Sequence, residues 1–337
     1  MPPISPLFDQ EKLEKRAKNH NLPAFKTKQI FFELFKNQNI HREEMTTLSK
    51  ELKAELQSEF SPISLEIIET VETHDTTKFA FKTHDGHLIE AIAMFHRQPE
   101  QHRKNNQSKL NRITLCISSQ VGCPAGCLFC VTGKLGFTRN LSRDEIISQV
   151  LYANRRIKQK FGKKADGTLR GIRNVVFMGM GEPLLNYENM KQSIEILLAQ
   201  ERFSLGRRHI TISTSGIIPG IKKLITDKID VKLAISLHAP NQKLREQLMP
   251  ITRQYPLSEL MKTIDLYVQA TDNRIFYEYI MIRGITDTPE LASQLANLLQ
   301  GKLAHVNLIP YNTNPALDFL ESEPATMQAF KNKLEKS

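Results

Sequence analysis

The sequence predicts an α/β fold: a partial (β/α)6 barrel preceded by a small N-terminal helical domain and a short β linker region. Three observations lead there. From residue 113 onward, six short apolar runs rich in β-branched and aromatic residues alternate with stretches of helical spacing. Strands separated by helices pair in parallel, because each helix serves as the crossover. All four cysteines fall between residues 116 and 130, in and after the first of these strands. In such folds the chemistry sits at the carboxyl ends of the strands.

The elements follow in order. FKTKQIFFELFKNQ places Ile30, Phe31, Leu34 and Phe35 at helical spacing, and MTTLSKELKAELQ reads as a second helix. Together they predict a small helical domain over 1–58. ISLEIIETVET, KFAFKT and HLIEAIAMF alternate as strands around turns such as HDG, giving an antiparallel section within 59–112. Its last part, QPEQHRKNNQSKLNR over 98–112, reads as a polar, basic loop. The barrel is expected over 113–337. ITLCIS is its first strand, and Ser142 with Glu145 forms a capping box for the helix that follows the cysteines. NVVFMGM, HITIST, VKLAISLH, IFYEYIMI and HVNLIPY are the other five strands, each followed by a helical stretch.

Composition narrows the function classes. At 337 residues and 40% hydrophobic, the chain is long enough for a full enzyme domain and a smaller one. A net charge of +10 favours a polyanionic partner, above all nucleic acid. MPPISPLFDQEKLEKRAKNH has no apolar stretch of signal-peptide length, and no run reaches the ~18 apolar residues of a membrane span. The expected location is the cytoplasm, without membrane association. Its reducing poise turns the cysteines toward metal binding or catalysis and away from a disulfide framework.

The stretch CISSQVGCPAGCLFC gives them a pattern. Cys123, Cys127 and Cys130 form C-x3-C-x2-C, and Cys116 stands seven residues upstream. Gly122, Pro124 and Gly126 bend the backbone so that three sulfurs converge, and clustered thiolates are metal ligands. A structural zinc wants four ligands, often in two separated pairs. An iron–sulfur cluster on three cysteines, with one iron left open, fits the count and spacing better, with zinc as the alternative. Cys116 on its own reads as a small buried residue.

C-x3-C-x2-C after the first strand of a βα barrel resembles the radical S-adenosylmethionine superfamily. There a [4Fe–4S] cluster's open iron chelates the cofactor's amino and carboxylate groups, and reduction yields a 5′-deoxyadenosyl radical. The resemblance narrows further. SSQVGC, FC, GFTRNLS, FMGMGEPLLN, ISTSGIIPGI, LAISLHAP, LMPI and VNLIPYN, in that order, are similar to the RlmN/Cfr family of ribosomal RNA adenine methyltransferases. GEP at Gly181, Glu182 and Pro183 resembles the C2-methylating branch; the C8-methylating branch tends to carry alanine in the third place.

That resemblance implies roles. Cys123, Cys127 and Cys130 hold the cluster. Gly181, Glu182, Ser213, Ser236, Leu237, His238 and Asn312 contact S-adenosylmethionine. Singly, each polar member is an ordinary turn or core group; their coincidence at strand ends singles them out. The Glu182 carboxylate is expected to accept a charge-assisted hydrogen bond from the cofactor's ammonium. Glu90 is the acid–base residue that takes a proton from the substrate adenine, and Cys116 is the resolving thiol, which forms a disulfide as it releases the product. The implied partners are 23S rRNA, tRNA and an electron donor such as flavodoxin, with a monomeric enzyme. The family's chemistry also needs a methyl-carrying cysteine in an ACGQL-type segment near the C-terminus, and the sequence has none. The expectation is that the chain stops early and, as given, binds the cluster and cofactor without methylating RNA. Alternatives are a C8-methylating enzyme and a non-catalytic, zinc-containing RNA-binding protein. Phosphate contacts are expected from HRKNNQSKLNR (102–112), RRIKQKFGKK (155–164) and Arg207 with Arg208.

Overall fold

The computed structural model describes residues 5–6, 9–19, 23, 25–57, 60–97, 110–162 and 171–336. In chain order the elements begin with β1 (Ser5–Pro6), α1 (Gln10–Asn19), α2 (Phe25–Phe31), α3 (Lys50–Gln57) and β2 (Phe60–Ser61). Next come β3 (Glu66–Glu72), β4 (Thr76–Lys82), β5 (Leu88–Arg97), β6 (Leu110–Cys116), β7 (Gln120–Gly122), α4 (Val131–Lys134) and β8 (Phe137–Asn140). Then follow α5 (Arg143–Phe161), β9 (Asn174–Phe177), α6 (Tyr187–Leu198), β10 (Ile210–Thr214), α7 (Ile218–Thr226), β11 (Lys232–Ser236), α8 (Gln242–Leu248) and α9 (Leu257–Thr271). The chain closes with β12 (Ile275–Met281), α10 (Pro289–Leu299), β13 (Ala304–Pro310) and α11 (Pro324–Glu335). The six expected barrel strands are therefore β6, β9, β10, β11, β12 and β13. Among the described residues, no helix is long and apolar enough to cross a membrane.

These elements form two compact units. The first comprises Met1–Ser119, Leu141–Gly179 and Glu188–Ile210; the second comprises Gln120–Asn140, Met180–Tyr187 and Thr211–Ser337.

In the first unit β3, β4, β5 and β6 pair antiparallel in sequence order, and β9 pairs parallel with β6. Period-two alternation gives this sheet two unlike faces. One face buries Phe79, Phe81, Ile89, Ala91, Ala93 and Phe95. Tyr152 of α5 stands edge-on to Phe79 and Phe81, with centroids 5.6 Å away in both cases. The other face, half open, carries Lys78, Glu90, Ile92, Met94 and Cys116. The capping box at α5 forms as its sequence requires: Glu145 N–H donates to Ser142 Oγ, and Ser142 N–H donates to Glu145 Oε2.

Two sequence expectations need correction here. Residues 110–112 belong to β6, because the long β5 reaches Arg97 and supplies partners for Leu110 and Arg112; residues 98–109 of the expected loop lie outside the described residues. FKTKQIFFELFKNQ is not one uniform helix, since α2 passes into a π-helical segment at Phe32–Lys36.

In the second unit β10, β11, β12 and β13 pair in parallel. Crossover helices separate them, as the alternation predicted. α9 is an addition to the one-helix-per-strand pattern. Tyr267, Tyr277 and Tyr279 are buried here. Tyr267 Oη donates to the Val231 carbonyl at 2.6 Å and Tyr279 Oη to the Thr286 carbonyl at 2.8 Å, so these rings are buried with their hydroxyls satisfied.

Candidate active site

The cysteine loop is shaped by the short hairpin of β7 and β8, which pairs Gln120 with Asn140 and Gly122 with Phe137. Cys123 N–H donates to the Gly136 carbonyl at 2.7 Å, and Leu128 N–H donates to the Leu248 carbonyl at 2.9 Å. Cys130 then caps α4, with Cys130 N–H on the Cys127 carbonyl. Gly122 is demanded by this geometry. Its φ is +74°, and a Cβ there would lie 1.9 Å from the Gly136 carbonyl oxygen. All four cysteines are free thiols of intermediate exposure. Burial, reinforced by the charge of Glu182 and of Cys130, pushes the Cys123 thiol up to about 11. Cys127 is pushed up further, first by burial, then by Cys123, Cys130 and Glu182, with Arg245 acting the other way.

Glu182 stands at the carboxyl end of β9 and is buried. Its backbone N–H donates to Gln120 Oε1, and Gln120 Nε2 donates to Asn140 Oδ1, tying it to the loop hairpin. Its Oε2 accepts from Ser215 N–H at 2.7 Å and Ser215 Oγ at 2.8 Å, and its Oε1 accepts from Leu184 N–H at 3.1 Å. Burial raises its pKa, against these donors. A carboxylate has about four acceptor sites. Three donors of the chain hold this one in place, two of them supplied by Ser215 in the turn after β10. Gly181 beside it adopts φ +106°, with a Cβ position 2.6 Å from the Gln120 side chain, so only glycine fits the approach.

A polar row crosses the parallel strands. Ser213 Oγ and Ser236 Oγ are 3.4 Å apart. Ser236 pairs with Glu278, and Glu278 with Asn307, whose Nδ2 donates to Glu278 Oε2 at 2.8 Å. Burial raises the Glu278 carboxyl, against the Asn307 bond and the charge of His305. Leu237 and His238 both donate their N–H to the Glu278 carbonyl. His238 lies in the left-handed region at φ +56° and is buried. Ile280 N–H donates to His238 Nδ1 at 3.1 Å, which leaves the ring proton on Nε2. Burial, then Arg245, holds His238 down to about 3, so the ring is neutral. It stands edge-on to Phe129 of the cysteine loop, with centroids 4.8 Å apart. Asn312 is exposed and lies two residues past the end of β13.

Seven predicted cofactor positions and the three cysteines, spread from 123 to 312, thus fall within one compact unit. Glu90 and Cys116 fall in the other, and share a face of its sheet. Cys116 pairs with Ile92, two residues along β5 from Glu90. Glu90 is half exposed, with Oε1 2.5 Å from Lys78 Nζ, and its carbonyl accepts from Ser118 Oγ at 2.6 Å. Burial pushes the Cys116 thiol up to about 12, opposed by the Met178 backbone bond.

Whether this loop suits an iron–sulfur cluster can be read from the donors. In the second unit, two buried side-chain atoms among the described residues have no hydrogen-bond partner: Arg245 Nη1 and Tyr311 Oη. Arg245 interacts electrostatically with Cys127, and Tyr311 with Cys130. Both unsatisfied donors therefore belong to the surroundings of the sulfurs. Among the described residues, one group of three metal-binding side chains brings its ligand atoms within 4.8 Å of one another: His84, Asp85 and Glu145. The cysteine loop offers three soft donors, one short of a structural zinc's four ligands, and that set suits a polynuclear cluster.

The Radical SAM superfamily model matches residues 117–295. A probable dual-specificity RNA methyltransferase RlmN 2 of Protochlamydia amoebophila is 39% identical, over 97% of this chain and 86% of its own. The dual-specificity RNA methyltransferase RlmN of Anaeromyxobacter dehalogenans is 38% identical, over 96% and 83%. The chain belongs to the RlmN family. A crystal structure of a radical SAM methyltransferase from Sphaerobacter thermophilus superposes with a TM-score of 0.88 and 38% identity, covering 99% of this chain and 93% of that one. As a radical SAM family member the chain is built for a [4Fe–4S] cluster and S-adenosylmethionine. In this RlmN-family chain the residues that motif reading missed are Gln120, Phe129, Ser215, Arg245, Glu278, Asn307 and Tyr311. Gln120, Phe129, Ser215, Asn307 and Tyr311 lay inside quoted motifs without being singled out, and Arg245 and Glu278 lay outside them; most gain meaning through partners distant in sequence.

One stretch expected to contact RNA makes pairs within its own unit. In RRIKQKFGKK, Arg155 pairs with Glu44, Arg156 and Lys160 pair with Glu72, and Lys158 donates to the Asn37 carbonyl and Asn39 Oδ1. These charges brace the first unit from within, and residues 163–164 lie outside the described residues. Arg207 and Arg208 are exposed, as is Arg112.

Proposed function

We propose that the chain is a radical SAM RNA methyltransferase that acts on C2 of an adenine in 23S rRNA and in tRNA. The observation that carries the reading is the convergence of C-x3-C-x2-C, Gly181–Glu182 and the strand-end residues of β10 to β12 in one unit of an RlmN-family chain. Cys123, Cys127 and Cys130 would hold the cluster, which would supply one electron to S-adenosylmethionine. Glu182 fixes the turn after β9 to the turn after β10. Ser213, Ser236 and neutral His238 supply short, uncharged donors for the nucleoside part of the cofactor, and Leu237 supplies an apolar wall. Glu90, paired with Lys78, takes the proton from the adenine ring. Cys116 is protonated until its turn, so it does not react early. The 1–58 segment and the exposed arginines bind RNA phosphates, and an acceptor-matched electron donor such as flavodoxin reduces the cluster.

The sequence holds no cysteine beyond these four. The test therefore has two arms. Anaerobically reconstituted chain should hold about four irons, show a reduced-cluster EPR signal that shifts on adding S-adenosylmethionine, and release 5′-deoxyadenosine. The same chain joined to the cysteine-bearing segment of a relative should place 2-methyladenosine in a 23S rRNA fragment, read by mass spectrometry of the digest. Colourless protein with one zinc would sink the reading, and 8-methyladenosine would move it to the other branch.

A further inference from the structure

Arg245, on α8, is 0% exposed and heads the fully buried side chains by volume. Its Nε donates to the Leu237 carbonyl at 3.1 Å, and its Nη2 to the carbonyls of Ser215 at 2.6 Å and Ser236 at 3.2 Å. One guanidinium thus gathers the loop after β10 and the end of β11, the segments that carry the predicted cofactor contacts. Its Nη1 is buried with no hydrogen-bond partner. Among the described residues no carboxylate is ion-paired with it. A buried guanidinium that is neither fully bonded nor paired is costly, so an anion is missing from its surroundings.

The candidate anion is sulfur. Arg245 lies within electrostatic range of Cys127. The two segments are also joined through the backbone: Leu128, next to Cys127, donates to Leu248 at the end of α8. Leu237, whose carbonyl Arg245 holds, precedes His238, which stands edge-on to Phe129 of the same loop. Arg245 is a fully buried cation beside these segments.

We infer that Arg245 is the buried countercharge of the cysteine loop, a positioning residue whose Nη1 side balances the thiolate of Cys127 and thereby sets the redox poise of the cluster. This rests on the reading that the loop holds a cluster. Reduction adds one negative charge to a site in a low-dielectric interior, and a fixed cation nearby favours that state. The same guanidinium holds three carbonyls, so charge and scaffold are one device.

The experiment is an EPR-monitored redox titration of reconstituted chain without S-adenosylmethionine, comparing wild type with Arg245→Gln and Arg245→Lys. Gln keeps donors for the carbonyls and removes the charge; Lys keeps the charge. The Gln variant should lower the reduced-to-oxidised ratio at fixed potential tenfold or more, which for one electron is about 59 mV downward. The Lys variant should stay close to wild type. Equal midpoints for Gln and wild type, or equal shifts for Gln and Lys, overturn the inference and leave Arg245 a tie between carbonyls. If the Gln variant fails to fold, Lys decides alone: a retained midpoint supports the inference and a lowered one overturns it. Wild type that takes up no iron overturns the cluster reading itself, a different result from iron-bearing variants with an unmoved midpoint.

Discussion

Glu182 in the second unit and Glu90 in the first are both carboxylates that motif reading singled out, and they are built in opposite ways. Glu182 is buried, and three donors of the chain converge on it. Glu90 is 46% exposed at its side chain and pairs with Lys78. The contrast extends to their neighbours. Around Glu182 the polar groups are locked: His238 has one tautomer and Arg245 grips three carbonyls. Around Glu90 the sheet face is half open. A buried carboxylate held by several donors is fixed in place, whereas a half-exposed one has room to move and exchange a proton. On the function proposed above, the second unit holds and the first unit's open face reacts.

The largest expected effect tests the holding side. Cys127→Ala should abolish cluster assembly, seen as loss of brown colour and of iron by metal analysis; retained stoichiometric iron would break the assignment. Next is the thiol on the reacting side. With Cys116 at about 12 against an ordinary value of 9.0, its thiolate fraction at pH 8 is roughly 10³-fold lower than in the unfolded chain. Alkylation of Cys116 in native protein should be slower by about that factor, read by mass spectrometry of the labelled peptide. The sign for stability follows: the folded state keeps the proton longer, so stability is unaffected below pH 9 and falls as pH rises from 9 toward 12. Stability that rises over that interval would contradict the burial of this thiol.

Third, Glu182→Gln turns an amide group toward Ser215 donors and should cost about 3 kcal/mol of stability, measured by denaturant unfolding. Smallest is Glu90→Gln. An ion pair this exposed contributes little, so unfolding should move by less than about 0.5 kcal/mol, whereas adenine methylation by an extended, competent chain should fall by at least about 10²-fold. If Glu90→Gln proved as destabilising as Glu182→Gln, the division between holding and reacting residues would fail.

Much of this architecture was legible in the sequence. The six strands read from ITLCIS to HVNLIPY all exist, because parallel strands buried on both faces leave continuous apolar runs. The Ser142–Glu145 cap was legible because its partners are three residues apart. Arg245 was not: LREQL looks like an ordinary helix surface, and nothing local shows that this arginine turns inward to Ser215, 30 residues away. Glu278 was hidden inside IFYEYIMI, where period-two spacing tells alternate residues apart but not which face is polar. The pairing of RRIKQKF was hidden for the same reason: its partners Glu44 and Glu72 lie 111 and 84 residues upstream. The bonds from Ser215 to Glu182 come from a turn 33 residues away.

The bond from Cys123 N–H to Gly136 and that from Leu128 N–H to Leu248 fix the loop without involving any sulfur atom. Zinc fingers, by contrast, fold only as their ion arrives. These two bonds need no metal, so oxygen or a chelator should bleach the protein while its circular dichroism spectrum holds. Resupplied iron and sulfide should then restore the colour with no refolding lag, making damage at this centre repairable in place.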